Sequence, residues 1–334
     1  MPEATGRPRV FSGIQPSGFL HIGNYLGAIR NWVRDQERYE NIFCIVDLHA
    51  LTLPIEPAVL REQRLDLAAT LIAAGIDPLR SALFLQSDIP AHSEMAWILE
   101  CFTPMGWLER MTQFKEKAGR QSHERIGAGL LHYPALMAAD ILLYDTNLVP
   151  VGEDQRQHLE LTRDLARRMN QRYGEIFVVP EALIREAGAR IMGLDDPGKK
   201  MSKSIAAAAP GHAIGIMDPP DVIRKKFARA QTDTEPAVRF PAGAGVNNLL
   251  EIYRTVRERS WDEVKAEFEG KQYSALKQAV ADAVIEVLGP VQERYRAVRQ
   301  DDAAMLRALE ASAQRIRPVA EATLRRVQEA VGLR

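Results

Sequence analysis

The chain has 334 residues, of which 46% are apolar and 26% charged, with a formal net charge of -1. That length and apolar content exclude a disordered chain and predict one α/β domain with a helical appendage. The near-zero charge excludes a protein that coats nucleic acid by bulk electrostatics, while leaving room for a local basic surface that grips a structured RNA.

The two cysteines, Cys44 and Cys101, sit in apolar surroundings with no CxxC or His-rich neighbourhood. No disulfide framework and no zinc site are expected, and a reducing, cytoplasmic setting follows. Met1 to Arg9 is polar, lacks the apolar core of a signal peptide and reads as a loose tail. No apolar run approaches the length of a membrane span.

Val10-Phe11 opens the ordered chain and leads into Phe11–Asn24, which carries Gly13, Gly18, Gly23, Pro16 and Ser17. Ile22, Tyr25, Leu26, Ile29 and Val33 then share one helix face. The stretch reads as strand, tight loop and helix N-terminus. That junction suits phosphate, because free N–H groups and the positive end of the helix dipole meet there, and glycines let a ligand approach the backbone. An ordinary strand-to-helix turn explains the stretch equally well on its own.

Ile42–Val46 is continuous and apolar, as a strand buried on both faces should be, and it ends at Asp47-Leu48-His49, where a parallel strand commonly meets ligand. Pro57 to Ala74 is a helix with Leu60, Leu67 and Leu71 on one face, stopped by Gly75 and Asp77-Pro78. Ala82–Leu85 is a second buried strand, closing on Gln86-Ser87-Asp88. Ser93 to Thr103 and Pro104 to Lys117 read as helices, Gly119 to Arg125 as a polar surface loop, and Leu130 to Leu143 as an apolar helix containing Asp140. Leu148–Val151 is a strand, and Gly152-Glu153-Asp154 turns into a helix from Gln155 to Met169. Ala189–Met192 is read as a last strand.

Asp195 to Ser204 forms a polar, lysine-rich loop. Helices follow from Pro219, with Asp218 as its cap, and then over Asn247–Arg259, Trp261–Glu269, Ala275–Leu288 and Asp302–Val331. Strands alternating with helices predict an α/β doubly wound parallel sheet with a C-terminal helical domain. The expected divisions are a tail over 1–9, a Rossmann-like domain over 10–192, a lysine loop and linker over 193–215, and helices over 216–334.

Lys199, Lys200 and Lys203 lie close together with Ser202 and Ser204. By lysine count alone a solvated basic loop is the better reading. A loop of ammonium and hydroxyl groups beyond a sheet edge also suits a polyphosphate. The two segments together are far more specific. Pro16-Ser17-Gly18-x-x-His21-Ile22-Gly23-Asn24 resembles the "HIGH" signature of class I aminoacyl-tRNA synthetases, with Asn24 where a second histidine often stands. Lys200-Met201-Ser202-Lys203-Ser204 is the second signature, unaltered. Phe11–Gly18, Glu109–Lys115, Met137–Leu142, Pro150–Gln155 and Gln157–Arg163 extend the resemblance to the bacterial-type tryptophanyl-tRNA synthetases, over nearly the whole chain from Phe11.

The resemblance implies a class I Rossmann-like fold and a two-step reaction. Tryptophan attacks the α-phosphorus of ATP, giving tryptophanyl-adenylate and pyrophosphate, and the tryptophanyl group then passes to tRNA(Trp). It implies that Gln15, Pro16, Ser17, Gly23 and Asn24 hold ATP and that His21 donates near the phosphates, although a helix-start histidine without a ligand is the plain alternative. Gly152, Glu153 and Asp154 would meet the ribose and the amino-acid end, with Gln155 beside them. Ile191 would meet adenine through its backbone. Lys200, Met201, Ser202, Lys203 and Ser204 would close on the phosphates, with Lys117 a weaker candidate, and Mg²⁺ would bridge them, held mostly by substrate oxygens and water. Asp140 would accept the indole N–H; a salt bridge to an arginine or a helix cap is its plain alternative. Phe11, Met137, Val149 and Val151 would wall the pocket, unless they are simply core.

The resemblance also implies a homodimer whose C-terminal helices read the anticodon. Arg163, Arg167, Arg168 and Arg172, and Arg315, Arg317, Arg325 and Arg326, form two basic groups, for each of which a solvated helix face is the better reading. Two departures stand out. After Ser204 the family usually continues with a polar run, whereas here Ile205 and four alanines follow, and the loop at 119–125 is longer than usual. A tyrosyl-tRNA synthetase relative, or a non-catalytic paralogue that senses tryptophan, ATP or RNA, is the alternative function.

Overall fold

The computed structural model describes residues 6–112, 127–152, 155–183, 190–235 and 237–334. Its centre is a five-stranded, all-parallel sheet in the order β3-β2-β1-β4-β5. The strands are β1 (Arg9–Ile14), β2 (Glu40–Ile45), β3 (Ala82–Leu85), β4 (Leu148–Pro150) and β5 (Glu181–Leu183). The β-branched and aromatic runs become the central strands, as expected of strands buried on both faces. Phe43, Ile45, Leu83 and Leu85 face one apolar layer, and Phe11, Ile42, Cys44 and Phe84 face the other.

The last strand departs from the sequence reading. Ile191-Met192 does not join the sheet; Met192 makes only an isolated antiparallel bridge to Lys200. The fifth strand is instead Glu181–Leu183, paired with β4. It is a short edge strand with an exposed glutamate, so no apolar run announced it. Residues 184–189 lie outside the described residues.

Most helices follow the periodicities, but among the described residues the helix read over Pro104–Lys117 is the short Met105–Glu109, and the one read over Ala275–Leu288 runs from Tyr273 to Val298. Pro57–Ala74 ends at Gly75, whose φ of +116° is the left-handed geometry of a helix C-cap. The opening helix is composite: Ile22–Asn24 is α, Tyr25–Ile29 is a π-helical turn and Arg30–Arg34 is α again. The helix after the lysine loop starts at Pro220 with Pro219 as its cap. Asp218 does not cap it; its Oδ2 accepts from Gly215 N–H at 2.8 Å and from the Lys226 ammonium at 2.7 Å. The alanine run after Ser204 continues a helix, Lys203–Ala208, with Ser202 at its N-cap. Alanine is the strongest helix former, which accounts for a helix at this point. The 113–126 segment, with Lys117 and the polar loop, lies outside the described residues.

The final helix, Asp302–Val331, returns from the helical layer to the sheet. Ser312 Oγ accepts the Leu83 N–H at 2.9 Å and so covers the free edge of β3. Arg315 donates to the carbonyls of Pro78 and Ser81, Arg317 to that of Asp88, and Arg326 to that of Ile176. These three arginines therefore tie the helix to the sheet rather than forming a solvated face. Among the described residues no helix is long and apolar enough to cross a membrane.

Candidate active site

The chain winds outward from β1 through β2 to β3 on one side and through β4 to β5 on the other. The switch between β1 and β4 is where an open α/β sheet holds its ligand. The two strands pair only through Val10 and Leu148, clamped by a double exchange between Arg9 and Asn147 at 2.8 and 3.0 Å. Beyond that clamp they part. The crevice holds a cavity of about 390 Å³ lined by Phe11, Met137, Asp140, Val149 and Val151, with Gln15, Ser17, Asn24, Gln155 and Lys203 on its more open part.

Asp140 is 1% exposed, on the apolar helix Gly129–Leu142. A lone carboxylate there would be costly, and three donors answer it. His92 Nδ1 stands 2.7 Å and Gln86 Nε2 2.6 Å from Oδ1; His49 Nε2 stands 2.9 Å from Oδ2. Burial by itself pushes the carboxyl up, but the hydrogen bonds from His49 and His92 outweigh it and hold Asp140 below the usual carboxylate range. An ionised carboxylate only accepts, so His92 carries its proton on Nδ1 and its Nε2 accepts from the Tyr144 hydroxyl at 2.7 Å. Neither an arginine nor a cap accounts for Asp140; a Tyr144–His92–Asp140 chain does.

His49 and Gln86 were legible as strand-end residues, since they stand just past β2 and β3. His92 and Tyr144 were not, because nothing local in the sequence links them to Asp140. Tyr133, which lines the same cavity, bonds His158 Nε2 at 2.7 Å through its hydroxyl.

The two signature segments meet at the open part of the cavity. Ser17 N–H closes a tight turn on the Gln15 carbonyl at 2.9 Å, and Gln15 Nε2 donates to the His49 carbonyl at 3.3 Å. Gly18 has φ of +57°, the one glycine of the first signature that needs the left-handed region. Gly23 is required for another reason: a Cβ there would lie 3.0 Å from the His21 ring and 3.6 Å from Ile191. It therefore makes room for the protein's own side chains and brings Ile191, itself 2% exposed, against the opening helix. Pro16 is buried, and Asn24 Oδ1 accepts the His21 N–H at 3.1 Å.

His21 is 5% exposed and its Nδ1 has no partner. Burial, then the charges of Lys203, Lys200 and His212, lower its pKa to about 4, so near neutrality it is an uncharged ring. Lys203 Nζ donates to the Ser17 carbonyl at 2.6 Å, and burial lowers its pKa to about 8. Lys200 and Ser204 are exposed on the same loop, and Ser202 accepts from Ile205 N–H at its helix start. Met201 differs from its neighbours: its side chain is 2% exposed in the core and its N–H bonds the Ile191 carbonyl at 3.0 Å, so it anchors the loop. Gly152 is exposed just past β4, while Glu153 and Asp154 lie outside the described residues.

The family model of class I tRNA synthetases for tryptophan and tyrosine matches residues 3–289. The chain belongs to this family. Within it, the tryptophan–tRNA ligase of Wolinella succinogenes is 53% identical over 328 residues, 98% of this chain and 99% of that one. The tryptophan–tRNA ligase of Helicobacter pylori is 48% identical with the same coverage. Among solved synthetases, the tryptophanyl-tRNA synthetase of Campylobacter jejuni, complexed with ADP and tryptophan, superposes with a TM-score of 0.84 at 35% identity, covering 97% of this chain and 99% of that one. That of Mycoplasma pneumoniae gives 0.87 at 36%, covering 98% of each. The synthetase fold and its Rossmann-like sheet are thus common to this chain and to these relatives.

Proposed function

We propose that this chain is an ATP-dependent tryptophan–tRNA ligase that joins tryptophan to the α-phosphorus of ATP and then to tRNA(Trp). The observation that carries this reading is an ionised, buried Asp140 lining one cavity with both signature segments. Asp140 Oδ1 already accepts two bonds and Oδ2 one, which leaves Oδ2 able to accept an indole N–H. Phenylalanine offers no such donor and would leave the carboxylate short of a partner. A site built for such a bond rejects the analogue lacking it by roughly 10⁴–10⁵. Phe11 and Met137 give the ring apolar walls, and Gln155 stands by the amino-acid end.

The tryptophan carboxylate is already an anion at neutral pH, so the first step needs no protein nucleophile or base. Catalysis is positioning plus stabilisation of the charge that develops on pyrophosphate. Gln15, Pro16, Ser17, Gly23, Asn24, Gly152 and Ile191 hold the nucleotide, with Glu153 and Asp154. His21 donates as a neutral ring, and Lys200, Ser202, Lys203 and Ser204 follow the pyrophosphate, the loop being set by Met201. Mg²⁺ would travel with ATP on phosphate oxygens and water.

The helices of 216–334 bind the tRNA anticodon, next to a catalytic domain over 10–192 and a loop and linker over 193–215. With Arg315, Arg317 and Arg326 engaged internally, exposed Arg325 is left for RNA, and Arg167 and Arg168, which meet Asp164 and the Trp107 ring, add to it. A second copy would cover Trp97 and Met105, which are 67% and 53% exposed on consecutive helices, in a cytoplasmic homodimer. Tryptophan-dependent exchange of pyrophosphate into ATP tests the central reading. Exchange with tyrosine and not tryptophan would make the chain a tyrosyl-tRNA synthetase, and tryptophanyl-adenylate binding without turnover would make it a sensor.

A further inference from the structure

His212 lies outside the cavity, 0% exposed, and no part of the first-step chemistry described above uses it. Its Nδ1 stands 2.5 Å from Asp195 Oδ1 and its Nε2 3.2 Å from the carbonyl of Lys200. Its own carbonyl accepts the Leu194 N–H at 3.1 Å. A few residues on, Ile214 O accepts the Ile22 N–H at 2.9 Å and Ile216 N–H donates to Leu20 O at 2.8 Å, with a bridge between Gly215 and His21. The strip from His212 to Ile216 is therefore bonded on one side to the lysine signature and on the other to the first signature. It is a rigid splint between them.

We propose that His212 is a positioning residue that holds the backbone of Lys200, and through it the Lys200 ammonium, in register with the first signature. The proposal rests on the ligase reading above. Both atoms that His212 faces are acceptors, a carboxylate oxygen and a carbonyl oxygen. A neutral imidazole has one N–H and would leave one ring nitrogen opposed to an acceptor, lone pair to lone pair. Both bonds are satisfied only by the doubly protonated ring. Gly193 makes the fit tight: a Cβ there would lie 2.1 Å from His212 Cε1.

The charged and titratable groups around the ring are Asp195, Asp196 with its partner Lys199, and His21, which in turn lies near the Lys200 and Lys203 charges. Lys226 faces the strip through Ala213 O and is paired with Asp218. With only one ring proton, one of the two contacts is lost and Lys200 loses its register. In Asp195→Asn an amide N–H replaces an acceptor. A neutral His212 then accepts from Asn and still donates to Lys200 O.

The tests are ¹⁵N NMR of the histidine rings in wild type and Asp195→Asn, and the kinetics of tryptophan-dependent pyrophosphate exchange in wild type and His212→Gln. Both His212 nitrogens should be protonated in the wild type at pH 7, and only one in Asp195→Asn. Glutamine reaches one acceptor only, so His212→Gln should lower kcat by about 10- to 100-fold, the scale of a small misplacement, with KM for tryptophan unchanged. A single ring N–H in the wild type at pH 7, or a wild-type kcat in His212→Gln, would each overturn the proposal. A wild type inactive in exchange would sink the ligase reading instead, and the ring measurement would still decide the protonation of His212.

Discussion

Lys203 Nζ and the Ser17 carbonyl, 186 positions apart in the chain, meet at 2.6 Å and close the two signatures onto one cavity. The bond holds the ammonium over the turn that is proposed to receive phosphate. Burial lowers its pKa from the ordinary 10.5 to about 8, so it stays mostly an ammonium near neutrality, and an arriving polyphosphate would raise that value again. Lys203→Met should reduce kcat for pyrophosphate exchange by about 100-fold or more, the scale of losing a charge-stabilising donor. Tryptophan binding, followed by fluorescence titration, should be unaffected.

The same shift has a consequence for stability. Between pH 8 and 10.5 the unfolded chain keeps the Lys203 proton and the native chain does not. The unfolded state binds more protons there, so this group makes stability rise with pH across that window. Urea unfolding at the two ends of the window should show the increment in wild type and its absence in Lys203→Met.

Asp140→Asn replaces an oxygen that accepts from two sides with an amide whose N–H must face His49, or Gln86 and His92. Charged hydrogen bonds contribute about 1.5–3 kcal/mol each, so kcat/KM for tryptophan should fall by roughly 10- to 100-fold or more. ATP binding should be largely intact. Steady-state kinetics with each substrate varied in turn checks this, and unchanged tryptophan activation would remove Asp140 from the indole site. Because its carboxyl is held low, the stability Asp140 contributes is present above the ordinary carboxylate range and is lost as pH falls through its lowered value.

Gly193→Ala should be poorly tolerated although φ at this position does not demand glycine. The added Cβ would overlap the His212 ring, which has no free space to yield into. Overpacking of this kind costs about 1–3 kcal/mol. Thermal unfolding should record the loss, and exchange kinetics should record a lower kcat, because the displaced ring is bonded to Lys200 O.

Ser312→Ala leaves the Leu83 N–H on the edge of β3 without its acceptor. A buried donor left unpaired costs about 1–3 kcal/mol, so the midpoint of urea unfolding should fall by a corresponding amount with kcat unchanged.

Much of this protein was open to reading from local pattern. The runs Ile42–Val46 and Ala82–Leu85 are strands because continuous apolar sequence has to be covered on both faces, and Pro57–Ala74 is a helix because its period and its terminal Gly75 agree. The two segments pointed to ATP through their joint resemblance to the class I synthetase signatures, since each alone had a plain reading, a strand-to-helix turn or a solvated basic loop, that was as good or better. Glu181–Leu183 escaped notice because a three-residue edge strand carries too little pattern, and Ile191-Met192 misled because an apolar pair has no period at all.

The amino-acid order alone determined the sheet class, most of the helices and the two signature segments, since each depends on neighbours in the chain. Tertiary structure alone decided that Asp140 is an anion held by His49, Gln86 and His92, that Lys203 reaches Ser17, and that His212 lies between Asp195 and Lys200. Those are contacts between residues 12 to 186 positions apart. Ionisation and hydrogen-bond partnership follow distance and burial in space, which no local period encodes.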